Sequence, residues 1–365
     1  MDQTGSADGA RFAASRLRRF IGEAFAAVGL PASDAEAVAE LMVLADLRGA
    51  DGHGIFRLPQ YIRRVRAGGI NTRPTIRIRS ESPAAAVLDG DNGMGHLVMR
   101  RAAELAVAKA RECGIGWVGA CASNHAGPAG LYAMMPLKHD MVGLYFAVAN
   151  ANHMAPWGGC DLLLGTNPVA AAIPASSEPP VVLDMATTVV SYGTVKVAAM
   201  AGRAMPEGWM IDAESRPITD PRHANEGFLL PIGGHKGYGL ALIIGLLAGT
   251  LNRAAFGRSV VDFNADDKTP TNTGQAIMAL DISRFQPVED FKRGVDAAIR
   301  ELKTSRKMAG VGEIRLPGEQ GYKRWIERSR DGIPLRGPVL SSLQKLATEL
   351  RIEALEIRPA RPDST

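Results

Sequence analysis

The sequence predicts a mixed α/β fold, and three observations carry the prediction. Helical apolar periodicity fills the N-terminal region; short apolar runs bracketed by glycine, proline or asparagine follow from about residue 84; helical periodicity returns after Pro287. At roughly 100–200 residues per domain, a chain of 365 residues suggests two or three domains. The order implies a central sheet domain, expected over 81–309, and a helical domain assembled from both termini, 1–80 with 310–365.

Leu17, Ile21, Phe25 and Val28 share one helical face, and Gly29-Leu30-Pro31 stops that helix. Ser33-Asp34-Ala35-Glu36 has the spacing of a capping box, and the apolar stripe Val38, Leu41, Met42 and Ala45 runs from it to Gly49. The loop Ala50-Asp51-Gly52-His53-Gly54 then leads into a third, short helix over 56–66, closed by Gly68, Gly69 and Pro74. Strands are expected over 85–88, 115–120, 141–149, 169–173, 181–185 and 276–282, with helices over 98–113, 126–139, 189–201 and 238–250 between them. The last helices are expected over 288–302, 322–330 and 340–350.

Composition excludes several classes. Apolar residues make up 46% and charged residues 22%, ordinary for a globular protein and far from a disordered one. The longest apolar stretch, 239–251, falls short of the ~20 residues of a membrane span. The opening MDQTGSADGARF has no apolar core of a secretory signal. Cys113, Cys121 and Cys160 are odd in number and form no CxxC pair, so they are expected as reduced core or near-core thiols of a cytoplasmic protein. The net charge is +4 and the pI near 9.0, yet the basic clusters Arg16, Arg18, Arg19 and Arg63, Arg64, Arg66 ride on amphipathic helices and read as solvated faces. Aromatics at 5% offer few stacking platforms, so neither nucleic acid nor membrane is expected as a partner.

Gly114-Ile115-Gly116-Trp117-Val118-Gly119 matches GxGxxG in letters, but a helix precedes it and a strand follows, the reverse of a dinucleotide fingerprint. Gly114 reads instead as a helix-terminating residue. Gly233-Gly234-His235-Lys236-Gly237-Tyr238-Gly239 runs into an apolar helix, and glycine amides, a helix N-terminus and a lysine together favour an anion site over the plainer alternative, a flexible loop capping a buried helix. If the third helix starts near Gly52, His53, Arg57 and Tyr61 fall at i, i+4 and i+8 on one face. That set offers a proton donor titrating near neutrality, a bidentate carboxylate clamp and a phenol, as a small carboxylic acid with a reacting carbonyl requires. A surface helix with a satisfied histidine is the plainer alternative. Ser123-Asn124-His125 follows a strand and is either a ligand-binding edge or a helix cap, and the turns at 165–168 and 183–188 carry the same ambiguity. No metal-ligand spacing and no serine-hydrolase elbow occurs.

The ordered series Ala45-Asp46-Leu47-Arg48-Gly49, Asp51-Gly52-His53-Gly54, Asn124-His125, Pro156-Trp157-Gly158-Gly159, Gly165-Thr166-Asn167-Pro168, Asp184-Met185-Ala186-Thr187-Thr188, Gly234-His235-Lys236-Gly237 and Arg315-Leu316-Pro317-Gly318-Glu319 resembles the malate/L-lactate dehydrogenase family of the non-Rossmann type. The resemblance implies a mostly antiparallel central sheet that binds NAD or NADP, beside a helical domain carrying the substrate loop and subunit contacts, in a homodimer. It implies hydride transfer to or from small 2-oxo or 2-hydroxy acids, with reduction of cyclic imino acids as the close alternative. By that resemblance the acid/base histidine falls on His53 and the carboxylate-binding arginine on Arg57, with Arg48 and Tyr61 nearby. His125 matches a second proton-transfer histidine. Cofactor contacts fall on Asp184, Met185, Ala186, Thr187, Thr188, His235, Lys236, Arg315, Pro317, Gly318 and Glu319. Gly52 and Asn150 stand where most members carry serine, which bears on substrate identity and on the choice between NAD and NADP.

Overall fold

The computed structural model describes residues 9–356, so most of the segment read for a leader and the last stretch of the C-terminal region lie outside the described residues. Along the chain it forms β1 (Ala10–Phe12), α1 (Ala14–Ala27), α2 (Ala32–Leu47), α3 (Leu58–Arg66), β2 (Arg77–Glu81), β3 (Ala85–Asp89), α4 (Gly95–Cys113), β4 (Ile115–Ser123), α5 (Gly130–Ala133), β5 (Met141–Ala147), β6 (Val169–Ile173) and β7 (Val181–Met185). Then come α6 (Tyr192–Met200), β8 (Met210–Ile211), β9 (Phe228–Leu229), α7 (His235–Ala248), β10 (Thr273–Asp281), α8 (Val288–Thr304), α9 (Glu319–Asp331), β11 (Ile333–Leu335) and α10 (Gly337–Leu350). These sort into two compact units, one running to Arg66 and resuming at Gly321, the other spanning Ala67–Gln320.

In the helical unit, α1 buries Leu17, Phe20, Ile21, Ala24 and Phe25 on one face, and α10 buries Leu340, Leu343, Leu346 and Ala347. The unit's two chain segments are joined by an antiparallel pair, Ala10 opposite Leu335 and Phe12 opposite Ile333. Two expectations need correction here. Pro31, not Ser33, precedes α2, and no side chain caps that helix, because the Pro31 carbonyl already accepts the Asp34 and Ala35 amides. Arg64 is not on a solvated face but fully buried in α3, whereas Arg18 and Arg19 are exposed and paired with Glu36, Glu23 and Glu353.

The sheet unit holds seven strands in the order β2-β3-β4-β10-β5-β6-β7. Only β3 and β4 run parallel, joined by α4; every other neighbouring pair is antiparallel. The sheet is thus mostly antiparallel, as the resemblance implies. The glycines of the false fingerprint do packing work. Gly114 ends α4 in the left-handed conformation (φ +83°), and a Cβ on Gly116 or Gly119 would lie 2.0 Å from the Ala106 carbonyl oxygen or 1.8 Å from Asn252 Oδ1. Residues 67–80 and 310–320 belong to this unit, since β2 pairs with β3 and the Val182 amide donates to the Pro317 carbonyl at 3.2 Å. The edge strand β2 is exposed throughout and carries too little apolar signal to be read from the sequence.

The helix expected over 126–139 is also corrected: α5 spans only Gly130–Ala133, and a 3-10 turn follows over Met135–His139. Pro128 and Pro136 each remove an amide from a longer helix. Of the three cysteines only Cys121 is buried; Cys113 and Cys160 are exposed, and all are free. No helix of the described residues is long and apolar enough to cross a membrane.

Candidate active site

The helical unit carries His53, Arg57, Tyr61 and Arg48, and brings the first three together, though not on one helix as the spacing suggested. Asp51–His53 and Ile55–Arg57 are separate 3-10 turns, and α3 begins only at Leu58. Gly54, at φ −90° and ψ −139°, breaks the helical run between them. The turn is held by its own backbone: His53 donates its amide to the Ala50 carbonyl (2.8 Å) and Arg57 its amide to the Gly54 carbonyl (2.9 Å). Arg57 Nε donates to the Gly52 carbonyl (2.9 Å) and its Nη1 to Gln60 Oε1 (2.7 Å). A planar guanidinium tied down at two nitrogens is held in a fixed orientation, as carboxylate recognition needs.

His53 and Arg57 also feel each other electrostatically. Burial, and then the Arg57 charge, lower the His53 pKa from the usual 6.5 to about 4. Tyr61, fully buried in α3, is pushed up by burial and pulled down by the same arginine. Arg48 lies just past the end of α2, with Tyr322 as its electrostatic neighbour. Among the described residues its buried Nε has no hydrogen-bond acceptor, a donor suited to an anionic ligand.

The sheet unit gathers the other motifs at one end of β6 and β7, because these strands pair antiparallel with Val169 opposite Met185. Asp184 and Met185 end β7, and Ala186, Thr187 and Thr188 form the loop after it. Thr187 donates its amide to the Thr166 carbonyl (2.9 Å) and accepts the Ile232 amide on its own carbonyl (3.0 Å), while Thr188 bridges Pro231. The loop therefore anchors the segment leading into Gly233, Gly234, His235 and Lys236 at the start of α7. Gly233 and Gly234 both have positive φ, no side chain caps α7, and a Cβ on Gly237 would lie 2.1 Å from the Ile232 carbonyl oxygen. Bare amides, a positive dipole end and a lysine suit the pyrophosphate of a dinucleotide. Pro317 and Gly318 lie along β7 beside Val182, Glu319 accepts from Lys303 (2.7 Å), and Arg315 pairs with Glu313 (3.5 Å).

The loop that follows His125 meets this group at Asp184, whose Oδ2 accepts the Gly130 amide at 2.8 Å. Desolvation raises the Asp184 carboxyl to about 6, although its side chain reaches solvent. The His125 ring stacks on Phe263 with centroids 5.3 Å apart. Beneath it lies a buried network that sequence reasoning missed. Ser123 Oγ donates to Gln275 Oε1 (2.7 Å), Gln275 Nε2 to the Asn124 carbonyl (3.1 Å), and Asn124 Nδ2 to Asn92 Oδ1 (2.9 Å). The β4–β10 register slips between Thr273 and Gln275. At that bulge Ala122 and Asn272 both adopt positive φ (47° and 44°), joined by the Ala122 amide to Asn272 Oδ1 at 2.7 Å. Bulges of this kind re-aim the residues that follow them. One signal was available: Gln275 stands directly before the apolar run expected as a strand over 276–282. Among the described residues no group of three or more acidic, histidine or cysteine side chains could hold a metal.

A glycine-rich helix start with a lysine, and a segment bearing a histidine and an arginine, are groups suited to a dinucleotide-dependent oxidoreductase. Residues 12–344 match the family model described as malate/L-lactate dehydrogenase. The chain is 39% identical over 349 residues to malate dehydrogenase from Pyrococcus horikoshii, covering 93% of this chain and 95% of that one. The solved structure of malate dehydrogenase from that organism superposes with a TM-score of 0.89 at 35% identity, covering 97% of this chain and 100% of its own. Ureidoglycolate dehydrogenase (NAD(+)) from Escherichia coli is 30% identical, over 87% of this chain and 90% of its own. (2R)-3-sulfolactate dehydrogenase (NADP(+)) from Chromohalobacter salexigens is 32% identical, over 89% and 94%. The protein belongs to the malate/L-lactate dehydrogenase family.

Proposed function

We propose that the protein transfers a hydride between a nicotinamide dinucleotide and C2 of a small 2-oxo or 2-hydroxy acid, with His53 as proton carrier and Arg57 as carboxylate clamp. It is an NAD(P)-dependent oxidoreductase acting on a CH–OH group, as its relatives' names indicate of theirs. Lys236, the start of α7, the 184–188 loop and the 315–319 segment would hold the cofactor, which would supply or accept the hydride at nicotinamide C4. During reduction the Arg57 guanidinium, with Arg48, holds the substrate carboxylate by charge-assisted hydrogen bonds. Protonated His53 gives its proton to the carbonyl oxygen as C2 gains the hydride, leaving neutral imidazole and a hydroxy acid. Oxidation runs the same steps backwards. His125 is the second candidate for the proton.

The observation that carries this reading is the placement of His53 and Arg57 on two successive short turns, with the Arg57 guanidinium tied back to the Gly52 carbonyl. The test is oxidation of NADH and NADPH by the purified protein with oxaloacetate, pyruvate and a cyclic imino acid side by side. Turnover of a 2-oxo acid with at least one cofactor is expected. Turnover of the imine alone would move the assignment to imine reduction, and no turnover with any of them would end it.

Self-association as a homodimer is part of the proposal, supported by the exposed apolar row Leu240, Ile243 and Leu246 on α7. Sedimentation should give a dimer for the parent and a smaller species for Ile243→Glu; a monomeric parent ends this part. A cytoplasmic location accords with three free cysteines and is checked by cell fractionation.

A further inference from the structure

Asp46 is a carboxylate in an expensive place. It lies in the last turn of α2, where the helix dipole disfavours negative charge, and it is only 2% exposed. Its Oδ2 accepts the backbone amide of Ile55 at 2.8 Å. The carboxylate also fills the space beside Gly54: a Cβ there would lie 1.9 Å from Oδ1 and 2.1 Å from Cγ. No side chain can stand at position 54 while Asp46 keeps this pose. From the other side, Arg328 in α9 donates to the Asp46 carbonyl oxygen and pairs with the Asp51 carboxylate. The turn bearing His53 is therefore gripped at Asp51 through Arg328 and at Ile55 through Asp46, and the Arg57 amide closes onto Gly54 between them.

From this geometry we propose that Asp46 is a positioning residue that sets the spacing and direction of His53 and Arg57 through the Ile55 amide and the cavity left by Gly54. The inference rests on the reading of those two residues as the acid-handling pair. Burial and the nearby Asp51 raise the Asp46 carboxyl well above its ordinary value, against the opposing pull of the Ile55 amide and Arg328. What Asp46 supplies to the turn is a hydrogen-bond acceptor for the Ile55 amide and a shape that fills the space beside Gly54. Asparagine keeps both; alanine keeps neither.

The experiment compares Asp46→Ala, Asp46→Asn and Gly54→Ala with the parent in three measurements: kcat and KM for the 2-oxo acid, NADH affinity by fluorescence, and the His53 titration by NMR. Asp46→Ala and Gly54→Ala should lose roughly 10²-fold in kcat/KM, since misplacing a reacting group by about 1 Å costs that much, with NADH affinity unchanged. The His53 pKa should move from about 4 back toward 6.5 as the turn loosens. Asp46→Asn should recover most of both properties. Three results would overturn the proposal. They are parental kcat/KM and His53 titration in Asp46→Ala, a loss that vanishes once activity is expressed per folded molecule, or an asparagine variant as impaired as the alanine one. Should Asp46→Ala fail to fold, the contrast between Asp46→Asn and Gly54→Ala decides the same question. If the parent reduces no 2-oxo acid, the functional reading fails on its own, and the His53 titration still decides the role of Asp46.

Discussion

Replacing His53 by alanine lowers turnover by roughly 10²–10⁴-fold, the usual contribution of a positioned proton donor, while NADH binds as tightly as it does to the parent. The second half of that expectation follows from location: the residues assigned to the dinucleotide lie on the sheet unit, and His53 lies on the helical one. Steady-state kinetics with a fluorescence titration of NADH checks both. Turnover within tenfold of the parent would transfer the proton to His125, stacked on Phe263 at the end of the bulged strand. The pH profile carries an independent sign. Because burial and Arg57 hold His53 near 4, the free enzyme is neutral there at pH 7 and ready to accept a proton from an alcohol. In the oxidation direction kcat/KM should therefore stay flat through neutrality and fall only as pH drops toward 4. His53→Ala should lack that acid limb.

Reduction makes the opposite demand, because the imidazole must then carry a proton. The substrate itself helps to meet it. A carboxylate bound to Arg57 offsets the smaller of the two causes that depress His53, burial being the larger, so the His53 pKa should rise when the acid binds. Proton uptake on binding the 2-oxo acid, measured by calorimetry in buffers of different ionisation enthalpy, tests this linkage.

Arg57→Leu should act chiefly on affinity for the acid. Hydrogen bonds to charged groups contribute about 1.5–3 kcal/mol each, so KM should rise at least roughly tenfold, and roughly a hundredfold if a bidentate contact is lost. The same variant removes the charge that lowers His53, and its pKa should rise from about 4. Arg57→Lys should restore little, since an ammonium cannot keep the Gly52 and Gln60 contacts while also presenting a planar edge. A KM within twofold of the parent in Arg57→Leu would remove the arginine from the substrate site.

The strands 169–173 and 181–185 are legible to the residue, because both are apolar runs bounded by turn residues, and the end of α4 is legible because Gly114 takes the left-handed conformation that stops a helix. What failed has a common cause. The His53–Arg57 segment has the spacing of a helix, but the run breaks at Gly54, where the Asp46 side chain accepts the Ile55 amide and fills the space a Cβ would need, a contact that apolar periodicity does not register. Arg64 looked solvated because three neighbouring arginines on an amphipathic segment usually are; the packing around α3 buries it instead. The strand β2 escaped notice because an edge strand with every residue exposed needs no apolar alternation.

By itself the sequence determined the layered plan of helices, sheet and helices, the absence of a phosphate fingerprint at Gly114, and which side chains could handle a carboxylate and a proton. These follow from local properties: apolar period, turn chemistry and side-chain functional groups. Tertiary structure alone decided the strand order, the single parallel pair β3–β4, the bulge at Ala122 and Asn272, and the grip of Asp46 and Arg328 on the His53 turn. Apart from the nine-residue reach from Asp46 to Ile55, each of those joins residues distant along the chain, and such pairings are set by which surfaces exclude water together, a quantity no local window contains.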